Sequence, residues 1–511
     1  MKLKEENIIY INTDEYETPK ASNTLLEGRE NIVQMQYKEG MPEVTIHVQA
    51  YNRLDKTKRC VESILRNTKG INYELLLVDN GSTDGTLEYF KQVPYKYKKI
   101  MRVTKNVGSG FPTSILNYLD IAPYIVIISN DLILTPNWLH NLLICIKSDK
   151  KIGMVNAVSS NVSNLQQVDL PFQTYEEMEE QARRFNCSDP TKWEERVRLI
   201  TLGTLLRKEA LYAVGLPFAD VGFFHDFGDD DLSYRMRRMG YKIILAKDTW
   251  IHHDHDFRSL EEKDPKEFYE SMEIGRQNFM EKYRGIDAWE TKLPTFITSI
   301  RQAPICNTKN QVRVLGIDVG TGDILLDLKN YLRLNHIFDV ALDAFIQDSK
   351  YREELCTICD GMVACDREEG IRLYYPVESY DYIILGNVFN SYAEPFIVLQ
   401  DIMALLKSGG ILFLSLENTF NFFDFFNMLG NREKYRENFV YHISLEQLLK
   451  EIEEYGHLVR LELNGEELGK EEENMLSKFW NNFEINEKRD VNMARLLTKE
   501  FVLTIQKNKN R

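Results

Sequence analysis

Between Val44 and Asp131, short apolar runs alternate with stretches in which apolar residues recur every three or four positions. The runs are Val44–Tyr51, Glu74–Asn80, Lys99–Thr104 and Tyr124–Asp131. The segments between them, Leu54–Arg66, Thr83–Val93 and Gly110–Leu119, carry helical spacing. Such alternation predicts a mostly parallel sheet covered by helices on both faces. Ligands of such sheets bind outside the carboxyl ends of the strands, so the chemistry is expected there. Farther on, Ser259–Glu290 is strongly charged and predicts a helix, whereas Lys292–Asn310, with two prolines and little periodicity, predicts a connection. A second strand–helix series begins at Val312, with runs at Arg313–Val319, Phe338–Leu342, Met362–Cys365, Tyr382–Leu385 and Ile411–Leu416. The pattern as a whole predicts an α/β chain of two doubly wound α/β domains, 43–290 and 311–511. An N-terminal extension, 1–42, carries weak order signals, and 291–310 reads as a linker.

A length of 511 residues exceeds what one ordinary core serves, which agrees with that division. With 43% hydrophobic and 28% charged residues, the composition is that of a soluble globular protein. A net charge of −15 argues against general nucleic-acid binding, which needs a basic face for phosphates. The basic and aromatic segment Tyr95–Lys99 reads as a solvated entry to a strand. No stretch approaches the ~20 apolar residues that span a bilayer, and no apolar region follows Met1. Seven scattered cysteines suit reduced thiols, so a cytoplasmic setting is expected. Cys356 and Cys359 form a CxxC with Cys365 nearby, but no second pair completes a zinc set. Nothing in the sequence indicates an oligomeric state.

Four polar clusters fall at strand ends, Gln49–Arg53, Val78–Thr86, Ser129–Asp131 and Phe227–Leu232, the last followed by His252–His255. Each has a structural reading when taken alone. Asp79–Gly85 is good turn chemistry before a capped helix, and carboxylates at a helix start, as at Asp229–Asp231, complement the helix dipole. In this order, however, the clusters resemble the inverting family 2 glycosyltransferases of GT-A fold, over about Val44 to Arg284.

The resemblance implies a nucleotide-diphosphate sugar donor held by Gln49, Tyr51, Asp79, Asn106 and Asn130. Tyr51, in the pair Tyr51-Asn52, would stack on the base, which Asp79 would hold; Gly108 and Asn117 belong to the same motif as Asn106. Asp131 and His252 would hold Mn²⁺ or Mg²⁺, and Asp229 or its neighbour Asp230 would be the general base. The chemistry is consistent with these roles. A hard divalent ion neutralises the charge that develops on a departing diphosphate, and a carboxylate takes the proton of the attacking hydroxyl. Two positions depart from the family pattern: Gly228 stands where a Glu is usual, and Ser129-Asn130-Asp131 contains a single acid.

In the second half, Val314–Val319 runs into Gly320-Thr321-Gly322. The dinucleotide pattern GxGxxG is absent, which counts against an NAD enzyme. Asp343 is expected to close the second strand and Asp366 the third, followed by Tyr380–Ile384, Leu405–Gly410 and Ser415–Asn418. This succession resembles the class I S-adenosylmethionine-dependent methyltransferases over Gln311 to Lys507, and implies a Rossmann-like fold. In that resemblance Gly320 and Gly322 line the cofactor's methionine part, Asp343 its ribose and Asp366 its adenine. Here too there are departures: Asp318 replaces the first glycine of the family's loop, and Asn390-Ser391 stand where a Glu-His pair is frequent.

The function expected from these readings is metal-dependent, inverting transfer of a sugar to a hydroxyl of a glycan, polysaccharide precursor or protein. Coupled methylation with S-adenosylmethionine would fall to the second half. Two alternatives remain at this stage. One is a carbohydrate or lipid O-methyltransferase whose first half only positions the acceptor, and the other is a non-catalytic carbohydrate-binding scaffold.

Overall fold

Every residue of Tyr73–Asn80 is buried, as its unbroken apolar run requires of a strand covered on both faces. Leu75 and Leu77 enter one core and Leu76 and Val78 the other, the two-residue period of a strand. The structure, a computed structural model, describes residues 8–17, 41–110, 112–113, 122–215, 218–223, 226–255, 265–306, 310–365, 370–422, 424, 441–465, 469–481 and 489–509. The chain divides into two units, Met1–Glu290 and Thr291–Arg511.

In the first unit the strands are β1 (Ile8–Ile11), β2 (Val44–Ala50), β3 (Tyr73–Asn80), β4 (Lys98–Val103) and β5 (Tyr124–Ser129), then β6 (Leu132–Ile133), β7 (Ile152–Ser159), β8 (Trp193–Glu195), β9 (Thr204–Arg207) and β10 (Lys242–His253). Their order is β1-β4-β3-β2-β5-β9-β7-β10-β6, with β8 on β10. β1 to β5 are mutually parallel along this order, and β9 runs antiparallel to both β5 and β7. The chain leaves β2 for β3 on one side and later returns as β5 on the other. The topological switch point therefore lies between the carboxyl ends of β2 and β5. The helix Leu54–Asn67, expected from its spacing, buries Cys60, Val61 and Ile64 beside this edge.

One expectation for the first half is corrected, and a second is borne out. The N-terminal extension contributes a strand: Ile8–Ile11 pairs in parallel with Ile100–Val103. Four apolar residues without flanking turn signals are too few to stand out. The helix within Ser259–Glu290 covers Pro265–Lys282. Asn117 and Asp366 lie outside the described residues.

The second unit holds β11 (Val312–Ile317), β12 (Val340–Ile346), β13 (Gly361–Ala364), β14 (Tyr380–Leu385), β15 (Leu406–Glu417), β16 (Gly456–Gly465) and β17 (Thr498–Lys507). The order is β13-β12-β11-β14-β15-β17-β16, parallel up to β15, with β17 antiparallel to its two neighbours. This is the doubly wound, Rossmann-like arrangement, with its switch point between β11 and β14. The expected linker is instead part of this unit. Leu293–Arg301 is a helix burying Leu293, Phe296 and Ile300, with Pro294 in its first turn, where a missing N–H costs nothing. Arg301 pairs with Asp327 at 2.7 Å, and the Tyr382 hydroxyl donates to the Pro304 carbonyl at 2.8 Å. Among the described residues no helix is long and apolar enough to cross a membrane.

Candidate active site

Asp131 lies two residues past the end of β5 and directly before the short strand β6, which holds it. Leu132 and Ile133 pair antiparallel with His253 and His252 at the end of β10, which brings that end of the chain beside the β2–β5 switch point. His255 Nδ1 lies 3.1 Å from Asp131 Oδ2, and His253 Nε2 lies 3.6 Å from the same oxygen. One ligand atom from each of the three residues falls within 4.8 Å of the others. His253 Nδ1 is 2.9 Å from the Asn161 carbonyl. Nδ1 donates there, so loss of the Nε2 proton, which faces Asp131, would free that lone pair for a metal. Ser129 Oγ donates to Asp131 Oδ1 at 2.7 Å, and the Asp254 amide donates to the Asp131 carbonyl at 2.9 Å. Asp254 is itself paired with Arg59 and Lys56 on the helix Leu54–Asn67. Burial alone would raise the Asp131 carboxyl, but hydrogen bonds from His253 and His255, the charge of His253 and the Ser129 hydroxyl carry it well below the usual carboxylate range. One carboxylate and two imidazoles are a donor set that fits Mn²⁺ or a related divalent ion.

His252, expected to share a metal with Asp131, faces elsewhere. Its Nδ1 lies 2.8 Å from Ser160 Oγ, and its ring meets Phe172 edge-on at 5.3 Å. Burial lowers its pKa. Successive strand residues point to opposite faces, so a step of one along β10 exchanges His252 for His253.

Around Asp131 the other expected donor residues form one connected edge. Asn130 Nδ2 donates to the Asn52 carbonyl and to Thr57 Oγ1, both at 2.9 Å. Asn52 in turn accepts from the Thr83 amide at 2.9 Å through its Oδ1. Asp79, wholly buried at the end of β3, accepts from the Ser82 amide at 2.8 Å and pairs with Arg102. Asn80 Nδ2 donates to Asn106 Oδ1 at 3.0 Å, so the loops after β3 and β4 are joined. Gly81 makes this close approach possible: its φ is 84°, and a Cβ there would lie 2.5 Å from the Asn106 amide nitrogen. Gln49 Oε1 accepts from Thr113 Oγ1 at 3.3 Å. Tyr51, at the mouth, is 47% exposed, so its ring has a free surface.

Three consecutive carboxylates begin the helix Gly228–Arg238, and their surroundings differ. Asp229 accepts from Thr201 through its hydroxyl at 2.5 Å and its amide at 3.2 Å. Burial, opposed by Thr201 and reinforced by the charge of Asp230, pushes the Asp229 carboxyl up to about 6. Asp230 is paired with Arg198, although burial still raises its carboxyl. Asp231 is fully buried against Arg235 and Lys282, each at 2.6 Å, and accepts from the Tyr283 hydroxyl at 2.8 Å; these partners outweigh burial and hold it low. Sequence reasoning did not separate Asp231 from its neighbours. Its i,i+4 partner Arg235 was the available signal.

In the second unit, Asp318 follows β11 with φ 51°. Its Oδ1 accepts from the Gln347 amide at 2.8 Å and its Oδ2 from the Tyr392 hydroxyl at 3.0 Å. Gly320 and Gly322 follow with φ 60° and 87°, as a glycine loop requires. Asp343, expected to close the second strand and hold a ribose, stands in mid-strand, because β12 continues to Ile346. It is buried against Arg313 and Tyr380, each 2.7 Å from Oδ2. The first residue past the end of β12 is the amide Gln347. Asn390 is fully buried and ties the Glu417 backbone to the Tyr441 carbonyl. With a bonded carboxylate at the loop's first position, and with the first acid past β12, Asp348, capping the turn Ser349–Tyr351 by accepting the Lys350 amide at 3.0 Å, these residues do not fit S-adenosylmethionine.

Residues 45–197 match the family model described as glycosyl transferase family 2, so the first unit contains a glycosyltransferase domain of that family. Over 125 residues the chain is 31% identical to uncharacterized protein y4gI of Sinorhizobium fredii, covering 23% of this chain and 13% of that protein. Over 70 residues it is 31% identical to a poly(ribitol-phosphate) beta-glucosyltransferase of Bacillus spizizenii, covering 14% and 11%. The chain thus spans only a small part of the length of either relative. Among solved structures it is similar to the mannosyltransferase PcManGT from Pyrobaculum calidifontis in complex with GDP-Man and Mn²⁺, at 14% identity and TM-score 0.35, covering 62% of this chain and 74% of that one. A SAM-dependent methyltransferase from Archaeoglobus fulgidus gives 12% identity and TM-score 0.29, covering 45% and 97%. Scores this low carry no weight on chemistry.

Proposed function

We propose that the first unit transfers a sugar, with inversion, from a nucleoside-diphosphate donor to a hydroxyl of a glycan, polysaccharide precursor or protein, using Mn²⁺ or Mg²⁺. The observation that carries this reading is the convergence of Asp131, His253 and His255 at the switch-point edge of a family 2 glycosyltransferase domain. Asp131, His253 and His255 would be the protein ligands of the ion, which when bound supplies positive charge to the departing diphosphate. His252 would not be a ligand; its contact with Ser160 supports a role in holding the end of β10. Tyr51 offers a ring face to the nucleotide base. Asp79, Asn106, Asn130 and Gln49 hold the loops that frame the donor.

Asp229 takes the proton of the acceptor hydroxyl. The oxygen so freed bonds to the anomeric carbon from the face opposite the diphosphate, whose bond to that carbon breaks. A carboxyl held at about 6 suits this role, since it is ionised near neutrality yet more basic than an ordinary aspartate. Asp230, engaged by Arg198, is the weaker candidate. All seven cysteines are free, which supports a cytoplasmic setting. The methyltransferase alternative is disfavoured by the bonded Asp318 carboxylate.

The test is to incubate the full chain with a panel of nucleotide sugars, with Mn²⁺ or with EDTA, and measure nucleoside diphosphate release. Release from one donor class that requires the metal is expected. Absence of release from every donor would overturn the reading.

A further inference from the structure

The doubly wound second unit has its ligand crevice between the carboxyl ends of β11 and β14. Two contacts of the chain's own side chains cross it. Asp318, directly after β11, bonds to the hydroxyl of Tyr392, beyond β14, at 3.0 Å. Lys292 passes over the loop, its Cγ 3.9 Å from where a Cβ on Gly320 would lie, and its Nζ reaches Asn387 Oδ1 at 3.2 Å, also after β14. A third contact runs to the other neighbour, since Asp318 Oδ1 accepts the Gln347 amide after β12. The backbone closes on the same point. The Asp318 amide donates to the Phe345 carbonyl at 2.9 Å, and a Cβ on Gly386 would come within 2.4 Å of the Asp318 carbonyl oxygen.

We infer that this crevice is shut by Asp318 and Lys292, and that the second unit binds no S-adenosylmethionine. The Asp318 carboxylate is buried at 8% exposure and bonded on both oxygens. A ligand seated on the glycine loop would have to displace a satisfied charge from its partners, which leaves it buried and unpaired. The ligand's own carboxylate would then meet a like charge at short range. Lys292 is spent on Asn387 across the mouth. Asp318 therefore acts as a strut joining the ends of three strands, and the unit keeps the fold without the cofactor site, as a fold permits.

The test is titration calorimetry of the full chain with S-adenosylmethionine and, separately, S-adenosylhomocysteine. For the natural sequence no binding is expected up to about 1 mM ligand. Saturable binding in the micromolar range would overturn the inference. The double variant Asp318→Gly/Lys292→Ala is expected to bind with a dissociation constant of about 0.1 mM or tighter, at least about tenfold below the natural chain's limit, which converts to about 1.4 kcal/mol. Asp318→Ala/Lys292→Ala, which keeps a β-carbon in the loop, replaces it if glycine disturbs folding as judged by circular dichroism. A folded double variant that still shows no binding would overturn Asp318 and Lys292 as the barrier. The metal-dependent donor reaction of the first unit is read on the same samples. Its failure would sink the transferase reading without touching this one.

Discussion

Asp229, Asp230 and Asp231 share a residue type and adjacent positions, yet only their partners decide what each can do. Asp229 has neutral partners and burial, so its proton affinity rises; Asp231 has two cations, so its affinity falls. Asp229→Asn is expected to lower sugar transfer by ~10²–10⁴ while leaving donor affinity unchanged. As the proposed base, Asp229 would work only as a carboxylate, so kcat/KM for the acceptor should rise with pH through about 6 and level off above it. A profile flat from below 5 to above 7 would remove Asp229 from the proton transfer. At the metal, His253→Ala is expected to raise the Mn²⁺ needed for half-maximal activity by at least ~10-fold, and His252→Ala to leave it near the natural value. An equal effect of both would return His252 to the metal. The places of the acids at 79, 131 and 229 were legible, since Asp79 and Asp131 lie at or just past strand ends and Asp229 starts a helix. The choice among three histidines was not, since it depends on a phase of one residue where β10 leaves the sheet.

At the scale of elements, continuous apolar runs revealed β2 to β5, β11 and β14 within a residue or two, because strands buried on both faces admit little else, but β7, buried throughout, was missed. Other errors arose where a run was short or shifted. β1 has four residues, and β12 begins later and ends later than the run Phe338–Leu342, which misplaced Asp343 as a strand end. The antiparallel strand β16 escaped notice because it alternates half-buried with exposed positions and lacks a continuous run, whereas β17 was missed although Phe501–Ile505 is a continuous buried run. The helix Gly228–Arg238 is fastened to Lys282 and Tyr283 through Asp231 alone of its three acids. Asp231→Ala would leave Arg235 buried without its carboxylate, whereas Lys282 keeps Asp220 at 2.7 Å, and a buried charge that loses its partner is costly. The expected loss is ~3–5 kcal/mol of stability, measured by urea unfolding followed by tryptophan fluorescence. The conservative Asp229→Asn, whose partners are neutral, should cost far less. Comparable losses would mean that the ion cluster does not hold the helix.

At the scale of the molecule, the two units repeat one topological device, a crevice at a switch point, and the side chains at the two crevices have opposite consequences. In the first, loops after β2, β3, β4 and β5 bond to one another around Asp131 and leave Tyr51 exposed. In the second, Asp318 and Lys292 bond across the opening itself. This contrast predicts where ligand protects the backbone. Amide hydrogen exchange of the full chain, measured by mass spectrometry with and without Mn²⁺ and a nucleoside diphosphate, should slow at 49–53, 79–85, 129–133 and 252–255. These segments carry the candidate ligands, and a bound state suppresses the local opening through which their amides exchange. The loop 318–323 should exchange at the same rate in both conditions and with S-adenosylmethionine added. Protection of that loop by the nucleoside diphosphate would mean that the second crevice is open to a ligand, and that the bonds across it are made and broken.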